Sequence, residues 1–460
     1  MSGWQRLYHL IELEIQQRLE EGCELDGEAW LAKRDGIRPD DSVALFRLMH
    51  ELQNNEPPTD CTFLEPYDLK AIRNQRPDHE NVLPFAAGEK DLFNRLHGGW
   101  MGRCCACMAG RPFECEPFTG QHAPKPHDAV IRWLQHADAW PLQSYVPETS
   151  RAEMRGLHIT NINSTREHIK AMEADDALDF LLVGLEMIDE FGSEFETHHV
   201  GRAWSKFLAY DQLPPAETQS FINLLHDDSF SREIWGDKQI QRVNWQKVAT
   251  INNPYREWRH GRLRTDIHGL LWPGDPEHAA ENAWRDARIS HTKSGLFSSM
   301  FFAAMIAAAF TTPDPMALIE AGLGQIPADC RLAHSILEAL NLRGQYVECV
   351  PCWEELLAEF EGSHPHHAIP NSVICVLAIL YGEGDFEKSI GHAVSLGRNP
   401  AANAATVGTI MGVLHGARSL PVRWTQPLSN TLRSNIKGYI RGTISDGARR
   451  CMEIINKRMY

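Results

Sequence analysis

The chain has 460 residues, of which 43% are hydrophobic and 23% are charged, and its formal net charge is −16. This hydrophobic content is enough for a folded core, so the composition excludes a largely disordered chain. The negative charge disfavours electrostatic binding of nucleic acid or of anionic membranes, although a small anionic ligand needs only a local cluster of donors.

The first 85 residues have the pattern of a helical extension. A second helix is predicted over Asp41–Gln53, and the polar, proline-marked segment 67–84 is predicted to be a linker. We therefore predict an extension over residues 1–85 and a second domain over residues 86–460. The extension is expected to act as a scaffold, with binding of a protein partner as the alternative. The stripe that predicts its first helix consists of Trp4, Leu7, Tyr8, Ile11 and Ile15.

Hydropathy and cysteine content predict a cytoplasmic protein that does not span a membrane. The N-terminal segment is amphipathic and lacks the uninterrupted apolar core of a signal peptide. The most apolar run, 296–310, is shorter than the roughly 20 residues that cross a bilayer. The chain has 11 cysteines and no secretory signal, which favours reduced thiols.

After residue 85, helical periodicities follow one another and alternating strand patterns are rare. The class predicted from this pattern is all-α. Helices are predicted near residues 178–188, 277–288, 296–310, 315–321, 333–342, 353–360, 374–381 and 386–395.

Two rows of small residues predict a close pair of helices. One row is Gly408, Gly412 and Gly416, in a helix that begins with Asn399 as the N-cap and Pro400 at the first helical position. Glycine weakens a helix by about 1 kcal/mol relative to alanine, so such rows indicate close approach of backbones. We expect the N-terminal ends of both helices to lie near one site, and tight packing without a site is the alternative. The second row is Gly98, Gly102, Ala106 and Gly110.

Clusters of cysteine and histidine could bind a metal ion, but buried structural cysteines and solvated histidines are the simpler explanations. Cys104, Cys105 and Cys107 lie on a small-residue helix, where their thiols point in different directions, so we predict buried structural cysteines. The histidines of segment 364–367 are predicted to form a solvated loop, with transition-metal binding as the alternative.

Three acids and one histidine are candidates for chemistry. Glu114 follows the glycine-rich helix, where it is either a base or metal ligand or a surface acid. Asp175 and Asp176 stand at a predicted helix start, where acids also suit the helix dipole and Asp176 resembles a cap. His291 closes a charged helix, either as a partner of the helix dipole or as a pocket residue.

Four segments together resemble the ADP-ribosylglycohydrolase family, and the helical extension is similar to that of a bacterial subgroup. This resemblance implies a compact, orthogonal, all-α bundle that holds two magnesium ions and hydrolyses the glycosidic bond of ADP-ribosylated substrates. The segments are GGWMGRCCACMAGRPFE, ENAWRDARISHTKSGLFSSMFFAAMIAAAF, YGEGDFEKSIGHAVSLGRNPAANAATVGTIMGVLHG and LPVRWTQPLSNTLRS.

The chain departs from the family at the positions that the resemblance assigns to the metals. Asn399 and Ala401 stand where the family has aspartates, Cys107 replaces an aspartate of the first helix, and Ala177 replaces an aspartate after Asp176. Magnesium prefers near-octahedral oxygen coordination, and lost carboxylates leave two dications repelling each other. The remaining acids suffice for at most one weakly bound magnesium ion, so we predict no metal ligands and no cofactor.

These substitutions predict a protein that binds a nucleotide-sugar-like or other small ligand without the family's usual hydrolysis. One alternative is metal-independent chemistry with Glu114, Asp176 or His291 as acid or base, and another is an active glycosidic hydrolase with an unusual metal site. A structural or regulatory protein acting through the extension is a further alternative. Residues expected to bind the ligand are Asp175, Asn399, Asn403 and Cys107.

Overall fold

Helices dominate the computed structural model, which describes residues 6–58, 62–77, 85, 88–123, 125–226, 243–439 and 441–459. The helices up to residue 250 are α1 (Leu7–Glu20), α2 (Gly27–Asp35), α3 (Ser42–Gln53), α4 (Leu69–Asn74), α5 (Glu89–Gly110), α6 (Pro126–His136), α7 (Asp176–Phe191), α8 (Thr197–Phe207), α9 (Pro215–Leu225) and α10 (Trp245–Thr250).

The second half of the chain adds eleven described helices and one short hairpin. Strands β1 (Thr431–Arg433) and β2 (Arg441–Thr443) pair antiparallel, with Leu432 opposite Gly442. Because the described strands have three residues each, the predicted all-α class is confirmed. The helices are α11 (His260–Leu271), α12 (Pro276–Ala287), α13 (Lys293–Ala308), α14 (Pro315–Leu323), α15 (Arg331–Arg343), α16 (Cys349–Leu356), α17 (Ala368–Gly382), α18 (Phe386–Ser395), α19 (Pro400–His415), α20 (Val422–Thr425) and α21 (Ile444–Met459).

The predicted helices are present, and the structure adds one helix in the segment that was predicted to be a linker. Segment 67–84 contains α4, because the side chain of Asp68 caps the backbone N–H groups of Lys70 and Ala71 and Ile72 is buried. Polar composition predicted a linker there because a short capped helix has little apolar periodicity. Residues 78–84 and Trp4 lie outside the described residues.

Four helices form the centre of the fold: three of them carry apolar or small residues on nearly every face, and the fourth, α11, buries charged side chains that pair with those of neighbouring helices. They are α11, α13, α17 and α19, whose residues are buried almost throughout. Helices with one apolar stripe, such as α6 and α18, cover this centre. The predicted core run of 296–310 thus lies within a central helix.

Helices α5 and α19 pack backbone to backbone, as the two glycine rows predicted. A Cβ atom at Gly98 would lie 2.0 Å from the carbonyl oxygen of Gly412, and one at Gly102 would lie 2.2 Å from that of Gly408. The contacts run in opposite directions along the chain, so the helices are antiparallel. The prediction that both N-terminal ends lie near one site was wrong, since glycine spacing does not encode direction: the C-terminal end of α5 meets the N-terminal end of α19.

The extension is joined to the rest of the chain by an apolar cluster and a buried ionic network. Apolar residues of α1 and α3 pack against Tyr255 and Trp258. Beside them, Arg256 donates to Glu14 and Glu21 of the extension, and the carboxylates are almost completely buried. These contacts are consistent with the predicted scaffold role, and binding of a protein partner stays a prediction.

No described helix combines the length and apolar character that crossing a membrane requires. Ten described cysteines are free, and all of them except Cys115 are buried. The cytoplasmic location stays a prediction.

Candidate functional site

Four helix ends meet at one place, which we call the site: the C-terminal end of α5 and the N-terminal ends of α7, α11 and α19. A Cβ atom at Gly110 would lie 2.3 Å from the backbone nitrogen of Ala401, so only glycine allows this approach. The chain then turns, and Oε1 of Glu114 accepts a hydrogen bond from the Ala401 N–H at 2.9 Å. Across the site, Nε of Arg259 donates to Oδ1 of Asn399 at 2.7 Å.

The two aspartates at the start of α7 have different roles. Asp175 is the N-cap, because its side chain accepts from the Ala177 N–H at 3.1 Å, and Asp176 is the first helical residue. The prediction that Asp176 resembles a cap is therefore off by one residue. Nη1 of Arg111 lies 3.4 Å from Oδ2 of Asp175 and donates to the Ala174 carbonyl at 2.7 Å.

Burial raises the pKa values of three carboxyl groups at or beside the site, those of Glu114, Asp176 and Asp179. Burial and the neighbouring charge of Asp175 raise the pKa of Asp176 to about 6. Burial also raises the pKa of Glu114, against the opposing charge of Arg259. Further along α7, burial raises the pKa of Asp179 to about 6. Carboxyl groups in this range exchange protons close to neutral pH, which suits an acid or base.

Because its pKa is raised, Asp176 should make the free energy of unfolding depend on pH. Between about pH 4 and 6 the folded chain binds more protons than the unfolded chain at this residue, so its contribution weakens as pH rises. Replacing Asp176→Asn should therefore raise the free energy of unfolding at pH 7.5 by about 1 to 2 kcal/mol, with no gain at pH 4. Urea denaturation at both pH values measures this. Asp211→Asn, at an exposed position, is the control, and a destabilised Asp176→Asn at pH 7.5 would contradict the prediction.

A network of side-chain amides holds the start of α19. Nδ2 of Asn399 donates to the Pro365 carbonyl at 2.7 Å and to Oδ1 of Asn371 at 3.0 Å. Asn399 occupies the predicted N-cap position, but its side chain makes no capping hydrogen bond. Nδ2 of Asn403 also donates to Oδ1 of Asn371, at 2.9 Å, and Asn403 is fully buried. The two asparagines thus fix each other through Asn371.

Arg259 is a buried cation without a carboxylate partner among the described residues. Its side chain donates to Asn399, while its Nη1 has no hydrogen-bond partner, although the residue is only 5% exposed. Its charge nevertheless lowers the pKa values of Glu114 and Asp176 against the effect of burial. An unpaired buried charge is costly, so this guanidinium favours an anionic partner.

Three histidine rings pack against Trp258, which directly precedes Arg259 in the chain. The ring of His364 stacks on Trp258 with centroids 4.1 Å apart, and the rings of His366 and His260 lie 5.2 and 6.2 Å from the same indole. Burial lowers the pKa of His364 to about 3 and holds the other two pKa values well below the ordinary range. The prediction of a solvated loop was wrong, because tertiary contact with Trp258 removes these rings from water.

Two predicted site residues are in the interior rather than on the surface of the site. His291 has no exposed surface, and its ring nitrogens contact the Gly261 N–H and the Ser290 hydroxyl. The acid that its Nδ1 faces, at 3.9 Å, is Glu217 rather than a candidate acid of the site. Cys107 is also fully buried, and burial, together with the charge of Asp175, raises the pKa of its thiol. A raised pKa opposes the thiolate form that a nucleophile needs.

Sequence reasoning missed Arg259 and Asn371, which connect the predicted residues. Arg259 belongs to the segment REWRHGRLR, whose density of cations before a helix was the one available signal. Asn371 lies within an apolar stretch, where a single buried amide indicates a required hydrogen-bond partner.

Comparison with known proteins identifies the family of this chain. The family model described as ADP-ribosylglycohydrolase matches residues 88–457. The chain belongs to the ADP-ribosylglycohydrolase family. Among solved structures, one described as "ADP-ribosylglycohydrolase-related protein complex" is similar at 15% identity and a TM-score of 0.48, covering 80% of this chain and 99% of that one. The search of curated proteins found no match.

The resemblance to the ADP-ribosylglycohydrolase family is thus confirmed. Within the described residues, the group whose donor atoms are near enough to share a metal ion is His127, Asp128 and Glu354, all within 4.8 Å of one another. Its two acids are exposed. This group is distinct from Glu114, Asp175 and Asp176, where the family resemblance would direct a metal.

Proposed function

We propose that this member of the ADP-ribosylglycohydrolase family binds a nucleotide-sugar-like or other small anionic ligand at the site without hydrolysis by a pair of magnesium ions. The observation that carries the proposal is the guanidinium of Arg259, buried against Asn399 and beside Glu114 and Asp176. A fixed cation of the protein thus contacts Asn399, one of the positions that the family resemblance assigns to the metals.

The donor groups at the site do not fit two magnesium ions. Magnesium requires near-octahedral oxygen coordination, but Ala401 and Ala177 provide no side-chain oxygen. Oδ1 of Asn399 already accepts a hydrogen bond from Arg259, whose positive charge would repel a dication at that oxygen. Of the remaining acids, Asp175 caps α7 and Glu114 accepts from the backbone of α19.

Binding of an anion at this place follows from the charges and donors that remain. Nη1 of Arg259 is unpartnered, and the guanidinium offers the planar fork that phosphate and carboxylate groups accept. The start of α19 adds the positive end of a 16-residue helix. His364, neutral and stacked on Trp258, offers a flat face and ring nitrogens to a ligand without adding charge.

Calorimetric titration with ADP-ribose tests this proposal. We expect binding in the presence of EDTA and no gain in affinity when magnesium is added. Arg259→Gln should weaken binding about tenfold or more, because a charge-assisted hydrogen bond is lost. Arg418→Gln, at an exposed position beyond the other end of α19, is the control. Magnesium-dependent binding, or release of ADP-ribose from modified arginine or serine, would overturn the proposal.

The raised carboxyl pKa values favour a second candidate, in which the same pocket performs metal-independent acid or base chemistry. Asp176, with a pKa of about 6, and Glu114 would then transfer the protons. Glu114→Ala and Asp176→Ala distinguish the candidates: an enzyme loses turnover of the bound ligand, whereas a pure binding protein has no turnover to lose. Analysis of the ligand by mass spectrometry after incubation supplies the readout.

A further inference from the structure

A second buried arginine, Arg398, has no carboxylate partner among the residues that the structure describes, and it is separate from Arg259. It precedes the N-cap of α19 and is 8% exposed. Its Nη1 donates to the hydroxyl of Ser363 at 3.2 Å, and its Nε has no hydrogen-bond partner. Burial lowers the pKa of Arg398 to about 10, with only Glu20 opposing this effect. Such a group gains free energy when an anion approaches.

Arg398 lines a cavity of about 800 Å³, which is large enough for a nucleotide-sized molecule. One wall is α1 of the extension, through side chains such as His9 and Gln16, and the opposite wall is the loop that contains His122 and Lys125. Nε2 of Gln16 donates to the Gly362 carbonyl at 3.0 Å and holds α1 against the floor. The extension is therefore part of this cavity.

Two of the three acids that line the cavity have cationic partners, whereas Arg398 has no carboxylate partner among the described residues. Glu12 pairs with Arg34 at 3.0 Å, and Glu354 lies 3.4 Å from Nζ of Lys125. Glu361, the third lining carboxylate, is exposed to solvent and screened by it. An anion in the cavity thus meets a desolvated guanidinium whose Nε–H has no hydrogen-bond partner, near the positive end of α19.

We infer that this cavity binds the phosphate groups of a small molecule, with Arg398 as the principal donor and α1 as a wall of the binding site. Both phosphate and carboxylate accept the guanidinium fork, but phosphate carries more negative charge and more acceptor oxygens toward Lys125 and His122 of the opposite wall, so phosphate is favoured. The inference rests on the proposed function in one respect, the expectation of a nucleotide-sized ligand. It does not depend on the role proposed for Arg259.

The test uses inorganic pyrophosphate as the probe and the full chain in metal-free buffer. Calorimetry should show binding to the unmodified protein and a loss of about tenfold or more in affinity for Arg398→Gln. Arg398→Lys keeps the charge but not the fork, so its affinity should fall between the two. Arg155→Gln, at an exposed position, should stay within about twofold. Melting curves of every variant confirm that the chain is folded.

Equal pyrophosphate affinity in Arg398→Gln and the unmodified chain would overturn the inference, as would failure of the unmodified chain to bind pyrophosphate. Succinate that binds as tightly as pyrophosphate would overturn the preference for phosphate. If Arg398→Gln does not fold, the comparison with Arg398→Lys decides the question in the same way. ADP-ribose that fails to bind while pyrophosphate binds would overturn the proposed function and leave this inference standing.

Discussion

Replacing Arg256→Met is expected to lower the free energy of unfolding by about 3 to 5 kcal/mol, because it leaves buried carboxylates without their main cation. Arg256 donates to Glu14 from two nitrogens, at 2.8 and 2.9 Å, and to Glu21 at 2.8 Å. These side chains are at most 3% exposed. Arg18 and Lys293 also contact the two acids, so the network would be weakened rather than abolished.

Denaturation by urea measures the loss, and hydrogen exchange in α1 shows where it occurs. We expect faster exchange in α1, since both carboxylates belong to that helix or its end. Arg449→Met is the matched control, because its pair with Asp446 is about half exposed and should change stability by no more than about 0.5 kcal/mol. Unchanged protection of α1 in Arg256→Met would show that the network does not hold the extension.

The same network predicts loss of the extension in acid. The charges of Arg256, Lys293 and Arg18 outweigh burial and hold the pKa of Glu21 well below its ordinary value. A depressed pKa contributes stability above the unfolded carboxyl pKa, and this contribution is lost as pH falls toward the folded value. Protection of α1 should therefore decrease as the solution is acidified below about pH 4.

Replacing Gly412→Ala is expected to cost about 3 kcal/mol of unfolding free energy, despite the better helix propensity of alanine. Its Cβ atom would lie 2.0 Å from the carbonyl oxygen and 2.6 Å from the carbonyl carbon of Gly98. Both atoms are backbone, so relief requires α5 and α19 to move apart. That movement would also strain the hydrogen bond between Glu114 and Ala401 at the site.

Thermal and urea denaturation measure this cost, and Gly27→Ala is the control. A Cβ atom at Gly27 would be 3.5 Å from a side-chain atom of Ile15, which is ordinary contact. The stability of the Gly27→Ala variant should therefore equal or slightly exceed that of the unmodified chain. A Gly412→Ala variant as stable as Gly27→Ala would contradict the close backbone packing of the two helices.

Much of the fold was accessible from local pattern. Helix α18 has the predicted bounds, Asn399 and Pro400 begin α19 as predicted, and the glycine rows are at the close contact. Each of these features depends on neighbours within one or two helical turns, and periodicity records such neighbours directly. The candidate residues Glu114 and Asp176 also lie near each other, since the charge of Asp176 contributes to the raised pKa of Glu114.

The site was less accessible, because its decisive contacts join residues far apart in the chain. Arg259 and Asn399 are 140 positions apart, and Arg398 needs a cavity wall that comes from α1. From the sequence, His364 is predicted to lie in a solvated loop, and only the structure shows its ring stacked on Trp258. The predicted domain boundary and the roles assigned to Asp175, Asn403, Cys107 and His291 stay predictions.

The amino-acid sequence by itself determined the helical class, the central helices other than α11, the close glycine contact and the absence of carboxylates at Asn399, Ala401 and Ala177. It did so because composition and spacing constrain what each helix can bury and what each position can ligate. Only the tertiary structure decided that α5 and α19 run antiparallel and that two unpaired guanidinium groups lie at the start of α19. Burial creates this preference for an anion: a guanidinium that folding has removed from water without giving it a carboxylate partner gains free energy when it donates hydrogen bonds to a bound anion.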